Sequence, residues 1–192
     1  MKILAILVLL SCSCAYAGVV NGNAEKADLG DWHVVDDTII YAVQSQKQSE
    51  GTVTPAEGDY FFSFAKSQAS YAMMSQTGVI GSGISSLTLT GLFQGEYTDY
   101  GVATLSIFNE AGTKLASASR WNLTSELFEW VPFQVTADLP QNSYSWEVQL
   151  EGFLDYGSMI NVFYDDIQIV PEPATLCLLA FGALALRRKR QN

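Results

Sequence analysis

The stretch Ser145-Trp146-Glu147-Val148-Gln149-Leu150-Glu151 alternates polar and apolar residues without a break. Successive side chains of a strand point to opposite faces, so this pattern buries Trp146, Val148 and Leu150 and turns Ser145, Glu147, Gln149 and Glu151 outward. The same period recurs along the chain. Val131, Phe133 and Val135 form one face, as do Ala103, Leu105 and Ile107; Leu87 and Leu89 are interleaved with Ser86, Thr88 and Thr90. Tyr60, Phe62 and Phe64 alternate with Phe61, Ser63 and Ala65. After Ile107, Asn109-Glu110-Ala111-Gly112 reads as a hairpin turn into Lys114-Leu115-Ala116-Ser117. No helical period competes between the ends, and roughly eight or nine strands at this spacing predict an all-β fold, a jelly-roll-type β-sandwich.

Trp32, Trp130 and Trp146 fall at core-like positions. The polar run from Gln44 to Gly51 reads as a solvated loop. A second loop is expected from Gly91 to Gly101, holding Phe93, Glu96, Tyr97, Asp99 and Tyr100, and loops at the end of a sandwich are where ligands tend to bind.

With 192 residues, 48% of them hydrophobic and 16% charged, the chain has room for one sizeable core and is too apolar for a disordered tail. Its net charge of −10 is unevenly spread. Lys2 and the cluster Arg187, Arg188, Lys189 and Arg190 lie at the ends, which leaves −14 on residues 18–170. A body so acidic repels phosphate backbones, which excludes a nucleic-acid partner, and it is hospitable to calcium.

Catalytic groups are scarce. His33 is the single histidine and reads as a surface strand residue; no Gly-x-Ser-x-Gly elbow or His-Glu-x-x-His pair occurs. Glycoside hydrolysis would need two carboxylates about 5–10 Å apart. Glu96, Asp99, Glu126, Glu129 and Asp155 are available, but the body has no insertions beyond those of a binding module. No catalytic residue is assigned, and the chain is read as a non-enzyme.

The two ends are addresses. Met1-Lys2, the apolar run Ile3 to Leu10 and Ala15-Tyr16-Ala17 form a secretory signal peptide, 1–17, cut by signal peptidase before Gly18. Leu9-Leu10-Ser11-Cys12 is a rival, lipobox-like reading. Cleavage after Ala17 removes Cys12 and Cys14 and leaves Cys177 alone, so the body, residues 18–170, carries no disulfide. Residues 171–192 form the second address. Pro171-Glu172-Pro173 reads as a rigid linker that ends the preceding strand, followed by the apolar Leu176 to Leu186 and the basic cluster. That apolar helix is short for a bilayer span, which suits a transient anchor.

The tail resembles the PEP-CTERM sorting signal of bacterial surface proteins. The resemblance implies recognition by an exosortase-type peptidase, transient anchoring in the inner membrane by the C-terminal helix, and delivery to the cell surface or an exopolysaccharide matrix.

Near the end of the body, if Ile167 and Ile169 face the core, alternation puts Asp165 on the same inward side and Asp166 outside. A buried carboxylate needs a partner. The body resembles galactose-binding-like carbohydrate-binding modules at Val20-Asn21-Gly22-Asn23-Ala24-Glu25 followed by Gly30-Asp31-Trp32, at Trp130 to Thr136, and at Phe163-Tyr164-Asp165-Asp166-Ile167-Gln168-Ile169. Ala24 departs from that pattern, which has Phe there. The resemblance implies one structural calcium held by Glu25 and Asp165 with backbone carbonyls near Asn21 and Asn23. The alternative is that Asp165 sits at a strand margin and accepts backbone amides. A metal predicts that EDTA lowers the unfolding midpoint; amides predict that it does not.

Carbohydrate binding asks for exposed aromatic rings, which stack on pyranoses, beside amides and carboxylates. Tyr97, Tyr100, Trp121 and Tyr156 lie near expected loops and are the candidates, with polysaccharide as the expected partner. The alternative function is a structural or adhesive matrix protein without a small-molecule site.

Overall fold

The computed structural model describes residues 18–35, 40–47, 51–67, 69–95, 98–125 and 128–173. In chain order its strands are β1 (His33–Val34), β2 (Tyr41–Val43), β3 (Gln46–Lys47), β4 (Thr52–Val53), β5 (Phe61–Ser63), β6 (Lys66–Ser67), β7 (Tyr71–Val79), β8 (Ile84–Gly95), β9 (Tyr100–Phe108), β10 (Lys114–Leu123), β11 (Val131–Asp138), β12 (Ser145–Phe153), β13 (Met159–Ile160) and β14 (Val162–Pro173). They form a first sheet ordered β1-β7-β12-β9-β10, a second ordered β11-β8-β14-β5-β2, and two ribbons, β13-β6 and β3-β4. Every pairing is antiparallel. This is the expected all-β sandwich. The expected signal peptide and C-terminal helix lie outside the described residues.

The core sits where the alternation puts it. Met74, Leu105, Ile107, Trp146, Val148 and Leu150 of the first sheet meet Leu87, Leu89, Phe93, Phe133, Val135 and Ile167 of the second. Tyr164 is at the centre, fully buried, with Phe64, Phe93 and Phe133 edge-on at 5.3, 5.4 and 6.0 Å. Its hydroxyl crosses the core to donate to the carbonyls of Glu151 (2.8 Å) and Val102 (3.3 Å). Burial pushes this phenol well above its ordinary range, so it remains a donor. The hairpin turn is as read: Gly112 has φ +77°, and Asn109 accepts from the amides of Gly112 and Thr113.

The second sheet is covered on its outer side at the β5 end, while Gln134, Thr136, Gln168 and Val170 remain exposed on that side. Phe61, Phe163 and Val53 form a satellite cluster on its outer side, closed by Phe128 and Trp130. Trp130 therefore packs outside the sandwich, against Phe61 at 5.8 Å, with its indole N–H on the Thr54 carbonyl. Trp32 and Trp146 are in the main core, and so is Ala24.

Four expectations are corrected. Gly91 to Gly95 is the end of β8 rather than a loop. Gly91 is there because a Cβ would stand 2.5 Å from Ile167 Cδ1 and 2.8 Å from the Phe133 ring, and Gly101 because a Cβ would collide with the Tyr164 hydroxyl. Within the polar run, Gln46 and Lys47 pair with Val53 and Thr52 as a ribbon. Pro171-Glu172-Pro173 does not end β14 but is its last three residues, paired with β8. Proline is tolerated there because, among the described residues, Pro171 and Pro173 face a strand, β8, on one side alone.

The last correction concerns Asp165. The β14–β8 register shifts between Asp165 and Gln168, with Asp166 at φ +48°. A bulge inserts one residue and reverses the parity. Asp165 is opposite Leu92 on the outer side, whereas Tyr164, Ile167 and Ile169 face the core. Its burial is complete all the same, because a loop lies over it.

Candidate functional site

That loop is held by the two carboxylates assigned to calcium. Asp165 Oδ2 accepts the amides of Ala56 (2.9 Å) and Glu57 (3.3 Å), and Oδ1 accepts that of Asp166 (2.8 Å). Glu25 Oε1 accepts the amides of Asp59 (2.8 Å) and Tyr60 (2.9 Å). Gly58, at φ +63°, is required between them because a Cβ would overlap the Glu25 carboxylate. The structure thus brings Glu25 and Asp165 to one loop. Their donors are N–H groups: Asp165 Oδ2 and Glu25 Oε1 each take two amides, which leaves those oxygens no lone pair for a cation, whereas Asp165 Oδ1 takes one amide and Glu25 Oε2 neither of the loop amides. As arranged, both carboxylates hold the loop by its main chain. Among the described residues no group of three or more His, Cys, Asp or Glu could hold a metal ion. We expect EDTA to leave the thermal midpoint of the sandwich unchanged in calorimetry; a fall of several degrees would restore the cation.

On the outer face of the first sheet, Glu147, Gln149, Glu151, Ser117 and Ser119 reach solvent, whereas Ser75, Val102, Thr104 and Ser106 are buried between their neighbours. Residues opposite each other in an antiparallel pair share a face, so the register builds this surface in rows. His33, Ser75, Gln149, Thr104 and Ser119 form a row across all five strands. Thr77, Glu147, Ser106 and Ser117 form the next on one side, and Met73, Glu151 and Val102 the next on the other. Beyond Glu151 comes an aromatic row, Tyr71, Phe153 and Tyr100. The rings of Tyr100 and Phe153 are stacked at 5.0 Å and 8°, and Tyr71 meets Phe153 at 5.0 Å.

Hydrogen bonds fix the polar rows: Thr104 Oγ1 to Ser119 Oγ (2.9 Å), Ser106 Oγ to Ser117 Oγ (3.1 Å), and Tyr71 O–H donating to Glu151 Oε1 (2.8 Å). Burial, then the Glu151 carboxylate, holds the Tyr71 phenol above its ordinary range. Trp121 follows Ser119 by two residues, on the same face by alternation, and is 63% exposed. The irregularity between Arg120 and Leu123, with Asn122 at φ 53°, follows it and returns Leu123 to the core. His33 is exposed on β1, as expected.

Of the expected sugar-binding aromatics, Trp121 and Tyr100 lie on this face, and Tyr97 lies outside the described residues. Tyr156 is elsewhere, 84% exposed in the β12–β13 connection. There a cavity of about 620 Å³ is lined by Thr98, Asp155, Tyr156, Met159 and Asn161. Its back wall is set by Asp99, buried and accepting from the amides of Asp155 (3.1 Å) and Asn161 (2.8 Å). Burial raises the Asp99 carboxyl despite those amides. Glu96 and Glu126, weighed as catalytic carboxylates, lie outside the described residues. Residue-by-residue reasoning missed Gln149, Glu151, Phe153 and Tyr71 as site residues. Their signal was the polar half of the Ser145–Glu151 alternation, which marks an open face as surely as the apolar half marks a core.

Residues 170–191 match the PEP-CTERM protein-sorting motif. No curated protein sequence matches the chain. The fold is that of carbohydrate-binding modules. A family 61 module solved with β-1,4-galactotriose superposes with a TM-score of 0.57 at 15% identity, over 82% of this chain and 100% of that one. The CBM22-1 xylan-binding domain from Paenibacillus barcinonensis Xyn10C does so with 0.55 at 13%, over 82% and 94%. The enzymatically active domain of tailspike protein 4 of bacteriophage CBA120 gives 0.58 at 12%, over 80% of this chain, which spans 21% of that one.

Proposed function

We propose that this chain is an exported surface protein whose sandwich binds a polysaccharide chain, without cleaving it, across the outer face of the first sheet. An exosortase-type peptidase sorts it through its tail. One observation carries the binding reading: among the described residues, the outer face of the first sheet sets the Glu147 and Glu151 carboxylates, the Gln149 amide and the exposed Ser117 and Ser119 in rows around the buried Ser75, Thr104 and Ser106, with a bank of rings at one end and the exposed Trp121 at its edge. Aromatic rings stack on the apolar faces of pyranoses while the polar rows bond their hydroxyls. The fold of carbohydrate-binding modules supports this. The sorting motif at 170–191 supports export to the surface.

Affinity electrophoresis of residues 18–173 through a panel of soluble polysaccharides tests the proposal. The expected result is retardation by at least one glycan, weakened ~tenfold or more by Trp121→Ala, which removes a stacking ring. Tyr156→Ala should retain binding. No retardation on any glycan would leave the structural, adhesive reading.

A further inference from the structure

The first four residues of the sorting motif, Val170 to Pro173, are the end of β14. Val170, Pro171, Glu172 and Pro173 pair with Thr88, Leu87, Ser86 and Ile84 of β8. Ser85 Oγ donates to the Glu172 carbonyl (3.1 Å), and Ser86 Oγ to Glu172 Oε2 (3.1 Å). The two serines thus grip the central residue of the motif by its main chain and its side chain. β8 is itself fixed from its other side by β11, where Asp138 pairs with Ser86 and the Leu139 amide donates to the Ser85 carbonyl.

Two features make this grip a latch rather than a permanent part of the sheet. Among the described residues, Val170 to Pro173 pair with no strand but β8. Pro171 and Pro173 have no N–H to donate, so the motif contributes few ladder bonds and leans on the serines. Such strand ends open locally well below the stability of the whole domain. There is also no slack beyond it. Only Ala174 and Thr175 separate Pro173 from the apolar run that starts at Leu176, about 7 Å of extended chain.

We propose that the folded domain gates its own sorting: the end of β14 must leave β8 before a membrane peptidase can take the motif, and Ser85 and Ser86 set how readily it leaves. This rests on the sorting reading above. A peptidase cleft must surround an extended segment, and the docked motif has one side against β8 and its inward side chain, Pro171, turned to the sandwich. With two residues of tether, the domain cannot swing away while the strand is paired.

The test uses the full chain, produced in a bacterium carrying an exosortase-type peptidase, with the processed fraction followed by pulse-chase and mass spectrometry. Ser85→Ala/Ser86→Ala removes both hydroxyl contacts and should speed processing roughly threefold or more. Thr88→Cys/Val170→Cys places a cross-strand pair on the outer face, where opposed residues lie close enough for a disulfide. The locked chain should be processed ~tenfold more slowly, and the rate should return in a strain that forms no periplasmic disulfides. Unchanged processing in the serine variant, or wild-type processing of a chain shown to carry the disulfide, overturns the gate while leaving the sorting reading intact. A wild-type chain that is never processed defeats the sorting reading, and the gate with it.

Discussion

Gly22→Ala is expected to cost at least about 3 kcal/mol of stability and to leave the domain largely unfolded near its working temperature. The Gly22 carbonyl accepts the Ile167 amide (2.9 Å), which ties the turn at residues 20–23 to the last strand just past the Asp166 bulge. The main chains approach so closely that a Cβ on residue 22 would overlap the Ile167 carbonyl oxygen, with Val19 Cγ1 at 3.2 Å behind it. Neither obstacle is the far end of a flexible side chain, so relief requires backbone movement at the seam. Gly112→Ala is the control. Its φ is +77° but a Cβ there meets nothing within 4 Å, so it should lose only about 1 kcal/mol, through backbone strain alone. Denaturant unfolding of both variants reads the difference. If the two cost the same, the seam between the ends of the domain is not as close as described.

Asp165→Asn is expected to act in two ways that one pH series separates. The Asp165 carboxyl is pushed up to about 6, by burial first, with the amides of Asp166, Glu57 and Ala56 working against that and Asp166 adding to it. A folded carboxyl raised above its ordinary value of 3.8 binds its proton more tightly than the unfolded chain does. Its contribution is therefore full below about pH 4 and is lost as pH rises through about 6, on the order of 3 kcal/mol. The asparagine variant lacks this slope, while Asp99, raised in the same direction, keeps its own. The amide group of asparagine also turns a donor toward amides that need an acceptor, at a cost of about 1–3 kcal/mol. Unfolding midpoints from pH 4 to pH 7 should show the variant less stable at pH 4 and the gap narrowing by pH 7. A gap that widens with pH would contradict the assignment.

Most of the sandwich was legible because alternation reports burial directly. Trp146, Val148 and Leu150, or Ala103, Leu105 and Ile107, occupy the core for the reason the pattern implies. The failures share a cause, which is a partner distant in sequence. Gly91 and Gly101 look like loop residues until Ile167, Phe133, Phe93 and Tyr164 are seen to need the space. Pro171 looks like a strand breaker until it is seen to pair, among the described residues, with β8 alone. Parity at Asp165 failed because a bulge depends on the opposing strand, and no local residue announces it.

The candidate site was half legible. Tyr100 and Trp121 were chosen as aromatics near loops and stand instead on one sheet face. Tyr156, chosen on the same ground, stands apart by its own cavity. What unites Gln149, Thr104 and Ser119 in one row is the order of β12, β9 and β10 in the sheet, which period-two patterns do not encode. The carboxylates Glu25 and Asp165 meet at one loop, and the partner they share there is the main chain of residues 56–60.

Titration of the isotope-labelled sandwich with galacto-, xylo- and gluco-oligosaccharides, followed through its amide signals, tests the central claim most directly. One of these glycans should move the amides of Thr104, Gln149 and Glu151 and the indole N–H of Trp121, leaving residues 155–161 in place. Shifts confined to 155–161, or none with any oligosaccharide, would contradict a sugar-binding sheet face.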